Sequence, residues 1–187
     1  MIVSIFANIN KIITNDSKTT TYKFALLRGT IDIITDNSPF INIQENIVTI
    51  PTGLMIEKWL LYYYPIIEAG YQNAQIHGAD AKLAICDNFL PIIEYYKIRG
   101  GISAFYNDLR NKGLSDEIVT EFTNLAKDLK NTITKMPMQY IGKSVNGTLY
   151  SIYNIVPNTS QKTKSIKNIR NYALIGTSPF NTIYPQK

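Results

Sequence analysis

The sequence predicts an α+β domain that is predominantly α-helical, and three observations carry that prediction. Four long segments hold apolar residues at the helical period. Shorter stretches near residues 40–50 and in the C-terminal third are rich in Ile, Val and Tyr and bounded by turn residues. The chain is 187 residues long, 45% of them apolar and 18% charged. A domain of that size buries roughly 70% of its unfolded surface, so it needs no disulfide or metal to hold its core.

Taken in order, MIVSIFANINKIIT reads as a short amphipathic helix with Ile2, Ile5, Phe6, Ile9 and Ile13 on one side. It lacks the basic lead-in and small-residue cleavage site of a targeting signal. No run approaches the roughly 18 to 20 apolar residues of a membrane span. The expected location is therefore the cytoplasm, with no membrane partner.

A polar break at Asn15–Lys18 precedes the helix on which the rest of the chain depends, Thr19–Ile34. Three threonines offer N-cap oxygens, and Phe24, Leu27, Ile31 and Ile34 form a stripe that Tyr22, Leu26 and Ile33 widen. Gly29 gives up about 1 kcal/mol of helix propensity, which points to close packing at that position. Arg28 has Asp32 four residues on, the spacing of a helix salt bridge.

The turn cluster Asp36–Pro39 is followed by two expected strands, Phe40–Ile43 and Ile47–Ile50, which form a β-hairpin with its turn near Glu45-Asn46. Helix, hairpin and helix in succession suit a winged-helix-like arrangement, and equally a hairpin that serves as an ordinary connector. Pro51-Thr52-Gly53 opens the second long helix, in which Pro65 predicts a kink or restart and Tyr62–Tyr64 cannot all point inward. Then come a polar link at Gly70–Gly78, a helix through Pro91 to Gly100-Gly101, and a short helix ended by Gly113. Next is a helix N-capped by Ser115 with Ile118, Phe122, Leu125, Leu129 and Ile133 as its stripe. Met138–Ile141 and Leu149–Val156 are expected as strands around an Asn146-Gly147 turn, and the closing YALIGTSPFNTIYP as a last strand and turn. The division is a mainly helical body, 1–134, and a basic, strand-rich part, 135–187, packed on the same single domain.

Charge gives the first functional indication. Residues 1–80 hold five Lys/Arg against seven Asp/Glu, residues 81–134 hold seven of each, and residues 135–187 hold seven Lys/Arg and no acid. The whole excess of +5 thus lies in the last 53 residues. Such segregation is the electrostatic footprint expected for a polyanion partner, nucleic acid first; a solvated basic tail without a partner and a membrane surface are the other readings of it. Lys135, Lys143, Lys162, Lys164, Lys167 and Arg170 are the candidate phosphate contacts, and Arg28, Arg110 and Gln139 are candidates for reading bases.

The inventory narrows the chemistry. One histidine (His77) and one cysteine (Cys86) leave no zinc finger, no HExxH pair and no internal disulfide, and no glycine-rich phosphate loop is present. Acidic-x-Lys triplets at Asp16–Lys18, Asp80–Lys82 and Asp128–Lys130 are the only trace of a metal-nuclease pattern.

In patterning, the chain resembles the N-terminal region of bacterial HNH-type, restriction-like endonucleases. Tyr22–Arg28 with Asp32, Pro51–Tyr64, Phe105–Leu109, Thr132-Ile133 through Met136-Pro137 to Tyr140–Gly142, Tyr150–Tyr153 and the closing SPFNTIYP carry the resemblance. It implies a fragment, or a diverged form without the HNH module, that binds and positions double-stranded DNA. It further implies no cofactor in this chain, since the divalent metal belongs to the HNH module. Two other readings stand beside it. One is a protein-interaction or assembly domain, homodimeric or otherwise, with Trp59 and Tyr62–Tyr64 as its apolar patch; the other is a self-contained metal nuclease.

Overall fold

The computed structural model describes residue 14 and residues 21–44, 47–70, 83–141, 153–155 and 180–182. Two helices, α1 (Thr21–Thr35) and α2 (Thr52–Glu68), pack against each other and are joined by a hairpin of β1 (Asn42–Gln44) and β2 (Ile47–Thr49). The hairpin is antiparallel, with Asn42 opposite Thr49 and Gln44 opposite Ile47. The expected order of helix, hairpin and helix is present, and the class is α+β with helix dominant.

The face that α1 turns to the core differs from the expected one. Tyr22, Ala25, Leu26, Gly29, Thr30 and Ile33 are buried, whereas Phe24 is 46% and Ile31 52% exposed. The reason is steric. A Cβ on Gly29 would stand 2.7 Å from the Sδ of Met55, so the small residues Ala25 and Gly29 let α2 approach closely on that side. Bulky rings fill the space around this contact: Tyr22 stacks on Trp59 at 5.4 Å, and Tyr63 closes the cluster at 5.4 Å from Trp59. The glycine predicted to serve packing does so.

Helix α2 runs as one element through Pro65, where a kink or restart was the expectation. Pro65 lies on the exposed side, where the carbonyl that loses its ladder partner can meet water. Of the three tyrosines, Tyr63 and Tyr64 are buried and Tyr62 stands at the rim. The expected apolar patch of Trp59 and Tyr62–Tyr64 is therefore not a surface: Trp59, Tyr63 and Tyr64 are core.

The remaining helices close the core from the other side. They are α3 (Cys86–Lys97), α4 (Gly101–Asn107) running into a π-helical turn (Asp108–Lys112), α5 (Val119–Lys135) and the single turn α6 (Pro137–Tyr140). Gly113, at φ 79°, ends the π-helical turn where a stop was expected. Phe105 joins Tyr64, Tyr96 and Phe122 in a second aromatic cluster with centroids 5.2–6.3 Å apart. The stripe Ile118, Phe122, Leu125, Leu129 and Ile133 is buried throughout, as its spacing predicts. Ser115 does not cap α5 itself. Its Oγ accepts from the backbone of Glu117, closing a turn just before the helix.

Met138–Ile141, expected as a strand, begins instead as the helical turn α6. Pro137 occupies its first position, where proline's fixed φ favours a helix and its missing N–H costs nothing. The strand β3 (Tyr153–Ile155) pairs antiparallel with β4 (Phe180–Thr182) from the closing segment, not with 138–141. Tyr153 is buried, and its hydroxyl lies 2.9 Å from Thr30 Oγ1 on the inner side of α1. Thr30 in turn donates to the Leu26 carbonyl at 2.9 Å. Among the described residues no helix is long and apolar enough to cross a membrane.

Candidate functional site

Two concave surfaces border the α1–α2 pair, and they differ in chemistry. The first is an apolar groove of about 420 Å3 along the outer side of the pair, lined by Thr21, Phe24, Leu27, Ile31, Tyr62 and Ile66 among others. Its polar rim is one connected unit. Tyr62 donates to Asp32 Oδ2 at 2.6 Å, the guanidinium of Arg28 lies 4.6 Å over the Tyr62 ring, and Arg28 Nε stands 3.7 Å from Asp32. Partial burial, followed by the hydrogen bond to Asp32, pushes the Tyr62 phenol well above its ordinary range. It stays protonated and donating at any physiological pH. The predicted Arg28–Asp32 bridge is present, with the tyrosine as an unforeseen third member.

The second surface is a polar cleft of about 160 Å3 between α1, α2, the turn Ser38–Phe40 that precedes the hairpin, and the π-helical turn with Tyr106 beside it. Glu57 lies at its base, only 6% exposed, with Arg110 Nε 3.5 Å away. The π-helical turn presents Arg110, which also donates to the Tyr106 hydroxyl and covers its ring at 5.0 Å. At the rim, Lys58 donates to Asp36 at 2.7 Å, and that hydrogen bond holds the Asp36 carboxyl below its usual range. Two acids and two bases here are arranged as two pairs. A buried carboxylate needs such a partner, because unpaired it would be strongly disfavoured. The cleft therefore reads as a cross-link between α1, α2 and the π-helical turn, not as a source of free acid or base.

The predicted site residues fall in three groups. Lys135 is exposed at the C-terminal end of α5, where a cation also complements the helix dipole. Lys143, Lys162, Lys164, Lys167 and Arg170 lie outside the described residues, as does His77. Of the base-reading candidates, Arg28 and Arg110 are held in ion pairs, while Gln139 is exposed on α6. With Tyr140 at 47% exposure, Lys135 and Gln139 place a cation, an amide and an aromatic ring on the surface within six residues, at the entrance to the acid-free region. Cys86 is half-buried at the start of α3. Among the described residues no three His, Cys, Asp or Glu side chains are grouped to hold a metal ion. Of the acidic-x-Lys triplets only Asp128–Lys130 is described, on α5, where Asp128 accepts from Asn88 of α3.

Sequence reasoning missed the groove and the Glu57–Arg110 pair. The groove had a signal in the small residues Ala25 and Gly29, which mark the close-packed side of α1 and so assign Phe24 and Ile31 to the other. The ion pair joins residues far apart in sequence and has no local signature.

The family described as "Domain of unknown function (DUF8808)" matches residues 3–178. No curated protein and no solved structure matches the chain.

Proposed function

The chain belongs to this family, and we propose that it is a DNA-binding and DNA-positioning component that serves a cleavage module of the HNH type. The observation that carries the DNA part is the segregation of charge. Every excess cation lies in residues 135–187, next to a body that is net −2. The described body supports the same division of labour. Its three arginines, Arg28, Arg99 and Arg110, each stand within 3.8 Å of a carboxylate on Asp32, Glu117 or Glu57. An arginine already paired gains little by trading that carboxylate for a phosphate. Residues 135–187 hold no acid of their own to pair with their cations, and the exposed Lys135, Gln139 and Tyr140 begin that stretch. The HNH part rests on the resemblance alone. Most of the described residues that carry it, among them Tyr22, Leu26, Trp59, Tyr64, Phe105 and Ile133, are core residues and speak to shared packing.

Titrating the whole chain against a fluorescent DNA duplex at a series of salt concentrations tests this reading. With the six cations from Lys135 to Arg170 engaged, log affinity should fall with log salt at a slope of about −5. Replacing Lys162, Lys164 and Lys167 by Gln should flatten the slope by about 3, while Arg28→Gln should leave it unchanged. Absence of binding at the lowest salt would end the proposal.

A second reading, assembly through a protein surface, is supported by the apolar groove with Phe24 and Ile31 at its edge. A chain that sediments as a monomer at every concentration would speak against homodimeric assembly there.

A further inference from the structure

Helix α5 turns five residues to solvent: Thr120, Asn124, Lys127, Asn131 and Lys135. On the helical wheel they fall within an arc of about 80°, opposite the buried stripe of Phe122, Leu125, Ala126, Leu129 and Ile133. We propose that this face reads DNA sequence. The stretch Asn124–Lys135 enters the major groove with the amides of Asn124 and Asn131 on base edges and the ammonium groups of Lys127 and Lys135 on the flanking phosphates. The proposal rests on the DNA-binding reading above, and adds to it the helix, the groove and the residues that discriminate one sequence from another.

The chemistry of the face comes first. Helix α1 exposes Phe24 and Ile31 beside Arg28, α2 exposes Pro65 and Glu68, and α3 exposes Asp87 and Glu94 beside Leu90. Among the described helices of more than ten residues, α5 is the one whose exposed positions hold neither an acid nor an apolar side chain. A carboxylate there would repel phosphate, and an apolar side chain would be wasted against it. Asparagine presents a donor and an acceptor that match N6 and N7 of adenine, and lysine supplies the phosphate contact.

These groups are also at liberty to act. The side chains of Asn124, Lys127, Asn131 and Lys135 make no hydrogen bond or ion pair among the described residues, whereas Arg28, Arg99 and Arg110 each face a carboxylate. The nearby acids set the direction of approach. Asp116 and Glu117 precede the N-terminal end of α5, and Asp128, at the edge of the face, accepts from Asn88 of α3. Lys135 stands at the other end, where the acid-free stretch begins. The C-terminal part of α5 therefore meets the phosphates.

Geometry agrees. A major groove about 12 Å wide admits one helix. Asn124 and Asn131 lie seven residues apart on one face, which is about 10.5 Å along the axis, or about three base-pair steps. The buried stripe packs α5 against α2 and α3, so the reading face is carried on a fixed support.

The test selects binding sites for the full chain from a pool of DNA duplexes with a randomised segment. The expected result is an enriched site with adenines about three base pairs apart. The N124A/N131A chain should bind random duplex with an unchanged salt slope and lose the enrichment. Replacing those adenines by 7-deazaadenine, which removes the N7 acceptor in the major groove, should weaken the natural chain about tenfold and leave N124A/N131A unaffected. Duplex binding with no enriched sequence overturns the inference and leaves DNA binding in place, as does an enriched sequence that N124A/N131A still selects. Failure to bind any duplex ends both.

Discussion

Helix α1 has two apolar sides, and only one of them is core. On the inner side Tyr22, Ala25, Leu26, Gly29 and Ile33 are buried; on the outer side Phe24 and Ile31 stay about half exposed. Both sides have helical spacing, and each carries an aromatic ring, Tyr22 within and Phe24 without. Hydrophobicity therefore does not choose between them. Shape does: Ala25 and Gly29 let Met55 of α2 come close, and Tyr22, Trp59 and Tyr63 fill the flanks of that contact. The outer side, with no small residue at its centre, is left as a groove.

The largest expected effect follows from that contrast. Leu26→Ala empties a fully enclosed site and should cost about 3 kcal/mol, within the usual range for such truncations. Phe24→Ala removes a larger side chain yet should cost only about 1 kcal/mol, because nearly half of it is exposed. Urea unfolding of the two variants measures both numbers. Equal losses would erase the distinction between the sides.

Much of this arrangement was legible in the sequence. The α+β class, the order of elements from α1 to α5, the stripe of α5 and the packing role of Gly29 all follow from period and from residue size. Period alone does not choose the face of α1, since the helix is apolar on two sides; the only mark of the inner face is the pair of small residues Ala25 and Gly29. The restart expected at Pro65 does not occur; the proline sits on an exposed flank, where the Leu61 carbonyl that loses its partner can meet water. Met138–Ile141 misled because its apolar run suggested a strand, whereas Pro137 fixes the φ of a helical first turn. For the candidate site, composition located the acid-free region, while the Tyr62–Asp32 and Glu57–Arg110 contacts depend on folding and left no trace in local spacing.

The buried core and the rim of the polar cleft should also part company with pH. Burial, opposed in part by the Thr30 hydroxyl, raises the Tyr153 phenol to about 12, from 10.0 in the unfolded chain. Between those values the unfolded state has released the proton and the folded state still holds it, so stability falls as pH rises through that window. Over the whole window the loss from this one residue is on the order of 3 kcal/mol. Tyr64, raised by burial to about 12, adds in the same direction. On the rim of the polar cleft the sign reverses. Asp36 is held below its ordinary value by Lys58, so its contribution is present above about pH 4 and is lost as the pH drops further. That pair is exposed, and its share is small. Thermal unfolding followed from pH 3 to 11 should show a steep alkaline loss, with tyrosine absorbance near 295 nm rising together with unfolding and not before it. A Tyr153→Phe chain should lose part of the alkaline slope.

The smallest effect isolates the contact that sets the two sides apart. Gly29→Ala gains about 1 kcal/mol of helix propensity but drives its Cβ to 2.7 Å from Met55 Sδ. Met55 is almost fully buried, so the thioether has no open path away from the new methyl group. In the natural chain the two terms should leave Gly29→Ala neutral to destabilising by about 1 kcal/mol. In a Met55→Ala background the obstruction is gone, and the same change should stabilise by about 1 kcal/mol. The reversal of sign is the diagnostic, measured as a double-mutant cycle in urea. If Gly29→Ala acts with one sign in both backgrounds, close approach of α2 is not why glycine stands there, and packing against Met55 is not what selects the inner face of α1.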